Sequence, residues 1–184
     1  SYNVLKVRTF SYETDKAVDV PVVATNAFSA FKPSPEWAYY CCGQFGHYES
    51  NRFFNMPSIR NRILGAQLYE TGTKGFLHWG FNFYNSQYSR YPVDPYFQSD
   101  ADGGFQSGDS FIVYPGRHGA LASLRLEVFF DGLQDVCALR AAEKKIGREE
   151  LLRRLHKIGV SGFTGRIDAV TWLKFRKEIN ALLV

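Results

Sequence analysis

Cysteine is scarce in this chain. Cys41 and Cys42 are neighbours and Cys137 stands far off, so there is no disulfide framework and no CxxC spacing to hold zinc. No apolar run is long enough to cross a bilayer, and the opening SYNVLKV is not a charged and then apolar leader. Reduced thiols without an export signal make a cytoplasmic protein the expectation, with no membrane partner. A start at Ser rather than Met leaves room for a longer parent. Basic residues are also scarce where they would matter for nucleic acid. Residues 1–139 carry 11 Lys/Arg against 13 Asp/Glu, while residues 140–184 carry 11 against 5. A nucleic-acid binder interleaves its cations with its aromatics. Here the two are segregated, so nucleic acid is not expected as a partner and the basic tail reads as a solvated helical face.

What the chain has in excess is aromatic residues, 16 Phe, 11 Tyr and 3 Trp among 184 residues, concentrated before residue 115. Val18-Asp-Val-Pro-Val-Val-Ala24 is a β-branched run ending in polar Thr25-Asn26, and Val4 to Phe10 reads as another strand. A third, Trp37-Ala-Tyr-Tyr-Cys-Cys42, is followed by a long loop through Asn55. Ser58 is placed to cap a helix in which Ile59, Ile63, Ala66 and Leu68 recur at helical spacing until Gly72. Gly75 to Asn82 is the next strand. Strand, loop, helix, strand is the β/α pattern of a parallel sheet or barrel. Residues 90–110 form a Pro/Gly/Asp/Ser-rich excursion, and Phe111-Ile-Val-Tyr114 is a short apolar run. Ser123 can cap a long amphipathic helix with Leu124, Val128, Leu133, Val136 and Cys137 as its apolar stripe. Two more helices are expected near 148–158 and 168–183.

Several motifs occur together: Trp37-Ala-Tyr-Tyr-Cys-Cys-Gly-Gln44, Ser50-Asn-Arg-Phe-Phe54, Met56-Pro-Ser58, Arg60-Asn-Arg62, Gly75-Phe-Leu-His-Trp-Gly-Phe-Asn-Phe-Tyr84, Ser107-Gly-Asp109, Val113-Tyr-Pro-Gly116 and Ser123-Leu-Arg125. In this order and spacing they resemble the C-terminal part of the domain of unknown function 4091, which is related to the β-N-acetylgalactosaminidases of glycoside hydrolase family 123. The resemblance runs from about residue 10 to about residue 145. It implies the last strands and helices of a (β/α)8 TIM barrel, an incomplete barrel of three or four parallel strands with outer helices. Residues 1–145 would be that barrel portion and 146–184 a C-terminal helical extension. The chemistry implied is retaining hydrolysis of a β-linked N-acetylhexosaminide, assisted by the substrate's own 2-acetamido group and served by an adjacent Asp-Glu pair. No Asp-Glu dipeptide occurs in these 184 residues. The chain alone is therefore expected to be inactive, either as a fragment of a larger enzyme or as a non-catalytic carbohydrate-binding or structural module. Its partners would be a glycan and the missing N-terminal part of its own barrel, and exposed strand edges would invite self-association.

The candidate sugar-binding residues are Trp37, Tyr39, Tyr40, His47, Asn51, Trp79, Asn82, Tyr84 and Asp109, because aromatic faces meet sugar C–H groups while amides and carboxylates meet hydroxyls. Alternation allows only one of Tyr39 and Tyr40 to face a barrel interior, which leaves the other buried. His78, inside an apolar strand, reads as a hydrogen-bonded core residue. Alternation also separates Trp79 from Asn82, so either a bulge near Gly80 lets the two share a pocket, or Asn82 and Tyr84 form it with Trp79 behind. Asp100, Asp102 and Asp109 lack the order and the terminal Glu of a calcium loop, so no metal is expected, and no cofactor. Arg60, Arg62 and Arg125, at helix starts, are expected in structural salt bridges.

Overall fold

The computed structural model describes residues 7–10, 20–46 and 48–184, and of residues 7–10 the backbone alone. Strands β1 (Val7–Phe10), β2 (Val20–Ala24), β3 (Trp37–Tyr39) and β4 (Gly75–Leu77) form one sheet in sequence order, every pair parallel. The strand starts expected at Val4 and Val18 lie outside the described residues. Parallel neighbours require crossovers, and the longest described one, between β3 and β4, carries α1 (Ser58–Arg62) and α2 (Leu64–Thr71). The single helix expected over this stretch is thus divided at Ile63. Ser58 does not cap it. Pro57 takes that position, and Ser58 is the first helical residue with no capping hydrogen bond. Proline suits a helix start because its missing N–H would be unpartnered there. Gly72 ends α2 with φ 72°, a left-handed turn that suits a residue without Cβ. The chain then re-enters the sheet through Lys74 and Gly75, whose N–H groups both donate to the Glu36 carbonyl.

Register sorts the side chains of the sheet. Val23 lies opposite Ala38, and Ala38 opposite Phe76. These residues and Tyr40 pack with Leu64 and Leu68 of α2, with Phe28, Phe31 and Phe163, and with Phe129 of α3 (Leu124–Ile146). On the other face Val22 and Ala24 are buried, whereas Trp37, Tyr39 and Leu77 keep part of their surface in water.

The structure turns α3 to a different side from the one its large residues suggest. Ser123 caps it as expected, accepting from the Leu126 N–H at 3.2 Å. The buried face, however, is Gly132, Asp135, Ala138, Leu139 and Ala142, while Leu124 is 73% and Leu133 42% exposed. Two causes act together. Small residues let α2 come close, since a Cβ on Gly65 would lie 1.9 Å from the Gly132 carbonyl oxygen. Asp135, with no exposed surface, is satisfied by Arg62 at 2.8 and 3.1 Å, Arg176 at 2.7 Å and the Trp172 indole at 3.1 Å. Leu133, Val136 and Cys137 instead line an open groove of about 420 Å³ beside β4, together with Leu68, Phe76 and Phe129.

A hairpin that the sequence pattern did not announce, β5 (Val113–Gly116) with β6 (Gly119–Ala122), precedes α3. Beyond α3 come α4 (Arg148–Lys157) and α5 (Ala169–Ala181). Leu151, Leu155, Trp172, Phe175 and Ile179 from these helices share a core with Ile63, Ala66, Tyr69, Ala138, Leu139 and Ala142.

The closeness of α2 and α3 predicts that Gly65→Ala lowers stability by about 1–3 kcal/mol, because backbone cannot yield to a methyl group as a flexible side chain would. Gly43→Ala is the control, since nothing lies within 4 Å of a Cβ there. Urea denaturation of both variants checks this. Equal midpoints would show that the helices separate freely.

Candidate functional site

At the end of β4 the chain leaves the sheet earlier than its sequence suggests. The strand expected to reach Asn82 stops at Leu77. The His78 ring folds back so that its Nδ1 accepts the Gly80 N–H at 3.0 Å. Gly80 then packs against the 109–110 backbone, where a Cβ would lie 2.5 Å from the Asp109 carbonyl oxygen, an approach open to glycine alone. Asn82 makes an antiparallel bridge to Phe111, and Asn85 one to Pro92. The loop after β4 is thereby stitched to the 106–112 segment, and Asp109 is brought under it.

Asp109 is the centre of the resulting cluster. It has no exposed surface, and each of its carboxylate oxygens has a donor. His78 Nε2 is 3.2 Å from Oδ1, and the Trp79 indole Nε1–H donates to Oδ2 at 2.9 Å. The tautomer of His78 follows from donor counting. Arg52 Nη2 approaches Nδ1 at 2.8 Å, and the Gly80 N–H also points at it. With two donors aimed at Nδ1, the imidazole proton belongs on Nε2, facing Asp109. Arg52 is itself held by the carbonyls of Gly80 and Asp109.

Burial dominates the electrostatics here. It pulls His78 down from 6.5 to about 4; the Asp109 hydrogen bond opposes this and the Arg52 charge assists it. Tyr40, packed edge-on against His78 at 5.3 Å and fully buried, is pushed up to about 12 by burial. Among the described residues its hydroxyl and the Arg52 Nε have no hydrogen-bond partner. Arg125 falls to about 10, through burial and then the like charge of Arg52. It lies over Phe54 at 4.6 Å and donates to the Gly108 carbonyl at 2.5 Å. Of the three arginines expected in salt bridges, Arg62 makes them, to Asp131 and Asp135. Arg125 and Arg60 instead hold backbone carbonyls, Arg60 those of Gly46 and Glu49. Loops whose carbonyls lack a ladder partner need such donors.

The candidate residues divide into two groups. Trp79 is 39% exposed, Tyr39 is half-buried and Asn82 is exposed; all three lie at or just beyond the C-terminal ends of β3 and β4. Trp37 is 38% exposed on the same sheet face as Tyr39, but it begins β3, and its ring covers Gly75 at the start of β4. It therefore stands at the N-terminal edge of the sheet, at the opposite end of these strands from Trp79. Tyr40 points toward the helices. Asn51 is fully buried, its amide donating to the Cys41 and Gln44 carbonyls at 2.8 and 2.7 Å while its oxygen accepts the Arg52 N–H. Tyr84 is half-buried and donates to the Val113 carbonyl at 2.8 Å. His47 lies outside the described residues. Neither arrangement expected around Gly80 is seen: Trp79 is not behind the loop, and the strand ends instead of bulging. Asp102, from the acidic stretch, accepts from Tyr91 and from Gln98 at the turn where its own φ is 61°. His78 and Arg125, not among the candidates, prove central to the cluster. Their partners are 31 and 17 residues away, and no local spacing signals them.

The depressed His78 value carries a sign. Between pH 6.5 and 4 the unfolded chain takes up a proton that the folded chain refuses, so stability contributed above pH 6.5 is lost as the pH falls through this window. The size is on the order of 3 kcal/mol. His78→Gln keeps a donor and an acceptor without titrating, and should flatten the denaturation midpoint over that range. An unchanged slope would mean that His78 is not held neutral.

Comparison with known proteins identifies the family. The model of the glycoside hydrolase 123 catalytic domain matches residues 4–142. No curated protein matches the chain. Among solved structures it is similar to a family 123 glycoside hydrolase from Clostridium perfringens, studied for the details of glycolipid glycan hydrolysis, with 14% identity and a TM-score of 0.62. The similarity covers 96% of this chain and 34% of that one, so the chain spans about a third of the length of the clostridial structure and shares its fold over that part. With three quarters of its length matched by one family model, the chain belongs to the glycoside hydrolase 123 catalytic-domain family.

Proposed function

We propose that this chain is the C-terminal part of a (β/α)8 barrel and supplies part of the wall of a pocket for a β-linked N-acetylhexosaminide, with N-acetylgalactosaminide as the leading sugar. The parent enzyme would hydrolyse it with retention, assisted by the 2-acetamido group. The observation that carries this reading is a half-exposed indole, Trp79, hydrogen-bonded to a buried carboxylate at the C-terminal end of a parallel strand. Barrel enzymes bind their substrates at that end of the strands. Four parallel strands in sequence order, with helices on one face, suit consecutive units of such a barrel. The edges at β1 and β4 are where further strands of the barrel, or a second copy of the chain, would pair. A glycolipid glycan, the substrate class studied for the clostridial enzyme, is consistent with a terminal hexosamine.

Three described carboxylates near the ends of the strands and in the following loops, Asp109, Glu36 and Glu49, do not suit the role of catalytic acid. Asp109 is fully buried and already accepts two N–H donors, Glu36 is paired with Lys74, and Glu49 caps the Gly46 N–H at 2.9 Å. General acid catalysis supplies about 100- to 10,000-fold, and without it the leaving oxygen departs unprotonated. The 184-residue protein should therefore release no aryl group from an aryl N-acetyl-β-galactosaminide. Turnover abolished by substituting one of these three carboxylates would overturn this.

Asn82→Ala tests the pocket itself. Affinity for methyl N-acetyl-β-galactosaminide, followed by titration calorimetry, should fall by about 1 kcal/mol or more while the thermal midpoint holds, because a lost ligand hydrogen bond does not unpack a core. A lower midpoint with unchanged affinity would assign Asn82 to structure.

A further inference from the structure

The reading of Trp79 as a sugar platform raises a mechanical question. An indole that keeps 39% of its surface in water must still be held in one orientation to meet a ligand face to face. Its ring contacts are Phe83 at 5.2 Å, Phe105 at 4.9 Å and His78 at 6.3 Å. Ring contacts are weakly directional, and among the described contacts the hydrogen bond from Nε1 to Asp109 Oδ2 is the one that fixes the direction of the indole edge. That bond is only as rigid as the carboxylate. A carboxylate can rotate about its last torsion unless its second oxygen is also engaged. His78 Nε2 engages it, and does so as a donor only in the tautomer that Gly80 and Arg52 enforce.

We propose that His78 is a positioning residue for the sugar site. Arg52 and the Gly80 N–H lock its tautomer, the Nε2–H clamps Asp109, and Asp109 orients the Trp79 indole so that its open face meets the apolar C–H face of a hexosamine ring. The inference rests on the proposed function above and assigns a role to residues that never touch the ligand. A buried chain of guanidinium, imidazole and carboxylate is a costly way to fill a core. Apolar residues of similar volume commonly do so at equal or better stability. What the polar chain adds is direction, because hydrogen bonds fix angles that packing leaves free.

The three tryptophans give a direct readout, since each contributes one indole N–H resonance to a nitrogen-15 correlation spectrum of the labelled chain. The Trp79 signal is identified by its loss in Trp79→Phe. In His78→Leu it should shift or broaden, while that of Trp172, bonded to Asp135, stays in place. Affinity for methyl N-acetyl-β-galactosaminide should fall about fivefold, the scale of one aromatic contact. His78→Gln, which keeps the donor toward Asp109, should restore both. Asp109→Asn gives a second route should the leucine variant not fold. The amide nitrogen that replaces one carboxylate oxygen donates and cannot accept, so Trp79 or His78 loses its acceptor and the Trp79 signal should move there too. A Trp79 signal unmoved in both His78→Leu and Asp109→Asn would overturn the relay. A signal that moves while sugar affinity stays at the wild-type value would overturn the positioning role. If Trp79→Phe itself binds the sugar as the wild type does, or the wild type does not bind it, the platform reading fails and the proposal with it, whatever the spectra of the other variants show.

Discussion

Side chains leave a strand alternately from its two faces, and in this sheet that alternation separates two kinds of work. Val23, Ala38, Tyr40 and Phe76 are committed to the helices, and the intervening positions Trp37, Tyr39 and Leu77 are left on the opposite, more open face. A one-residue slip in β3 would exchange Tyr40 for Tyr39 and send the fully buried tyrosine to the open side. The site begins where that rule ends. Beyond Leu77 the chain leaves the sheet, His78 meets Tyr40 and Arg52, and its ring stacks against that of Trp79. Both residues thereby reach the one carboxylate of Asp109.

The cluster around Asp109 concentrates charge in a place where charge is expensive. Arg52 and Arg125 are both largely buried, with one carboxylate and one neutral imidazole among them. Backbone carbonyls supply most of the compensation, those of Gly80 and Asp109 for Arg52 and that of Gly108 for Arg125. The arginines thus act less as partners of acids than as fasteners for loops that have no sheet or helix to satisfy them. This is why three segments distant in sequence, near residues 52, 80 and 109, converge beside one strand end.

The parallel β/α pattern, the approximate helix positions and the family motifs were legible in the sequence because each rests on local periodicity or local identity. Tyr39 and Tyr40 illustrate what alternation can say: one goes in and one goes out, without naming which. What was illegible depends on distant partners. The end of β4 at Leu77 is set by Gly80 meeting the backbone of residues 109–110, and the buried face of α3 by Gly65 and Asp135, neither of which looks apolar. Leu124 and Leu133 suggest a stripe on the other side by their size and hydrophobicity, whereas close approach and ion pairing decide which face of α3 is buried. Asn51 and Tyr84 have side chains suited to a sugar, yet their hydrogen bonds go to nearby carbonyls, a choice visible only once the loops are folded.

Asp135 has a consequence for how the chain holds together over time. Its four hydrogen bonds come from α1, through Arg62, and from α5, through Trp172 and Arg176, while it sits on α3. The family match ends at residue 142, but this carboxylate ties residues on both sides of that point into one buried cluster. Fraying of α5 would leave a desolvated charge with half its donors. Opening of the C-terminal helices should therefore be coupled to opening of the layer beneath the sheet, with the amide hydrogens of α1, α3 and α5 expected to exchange as one unit.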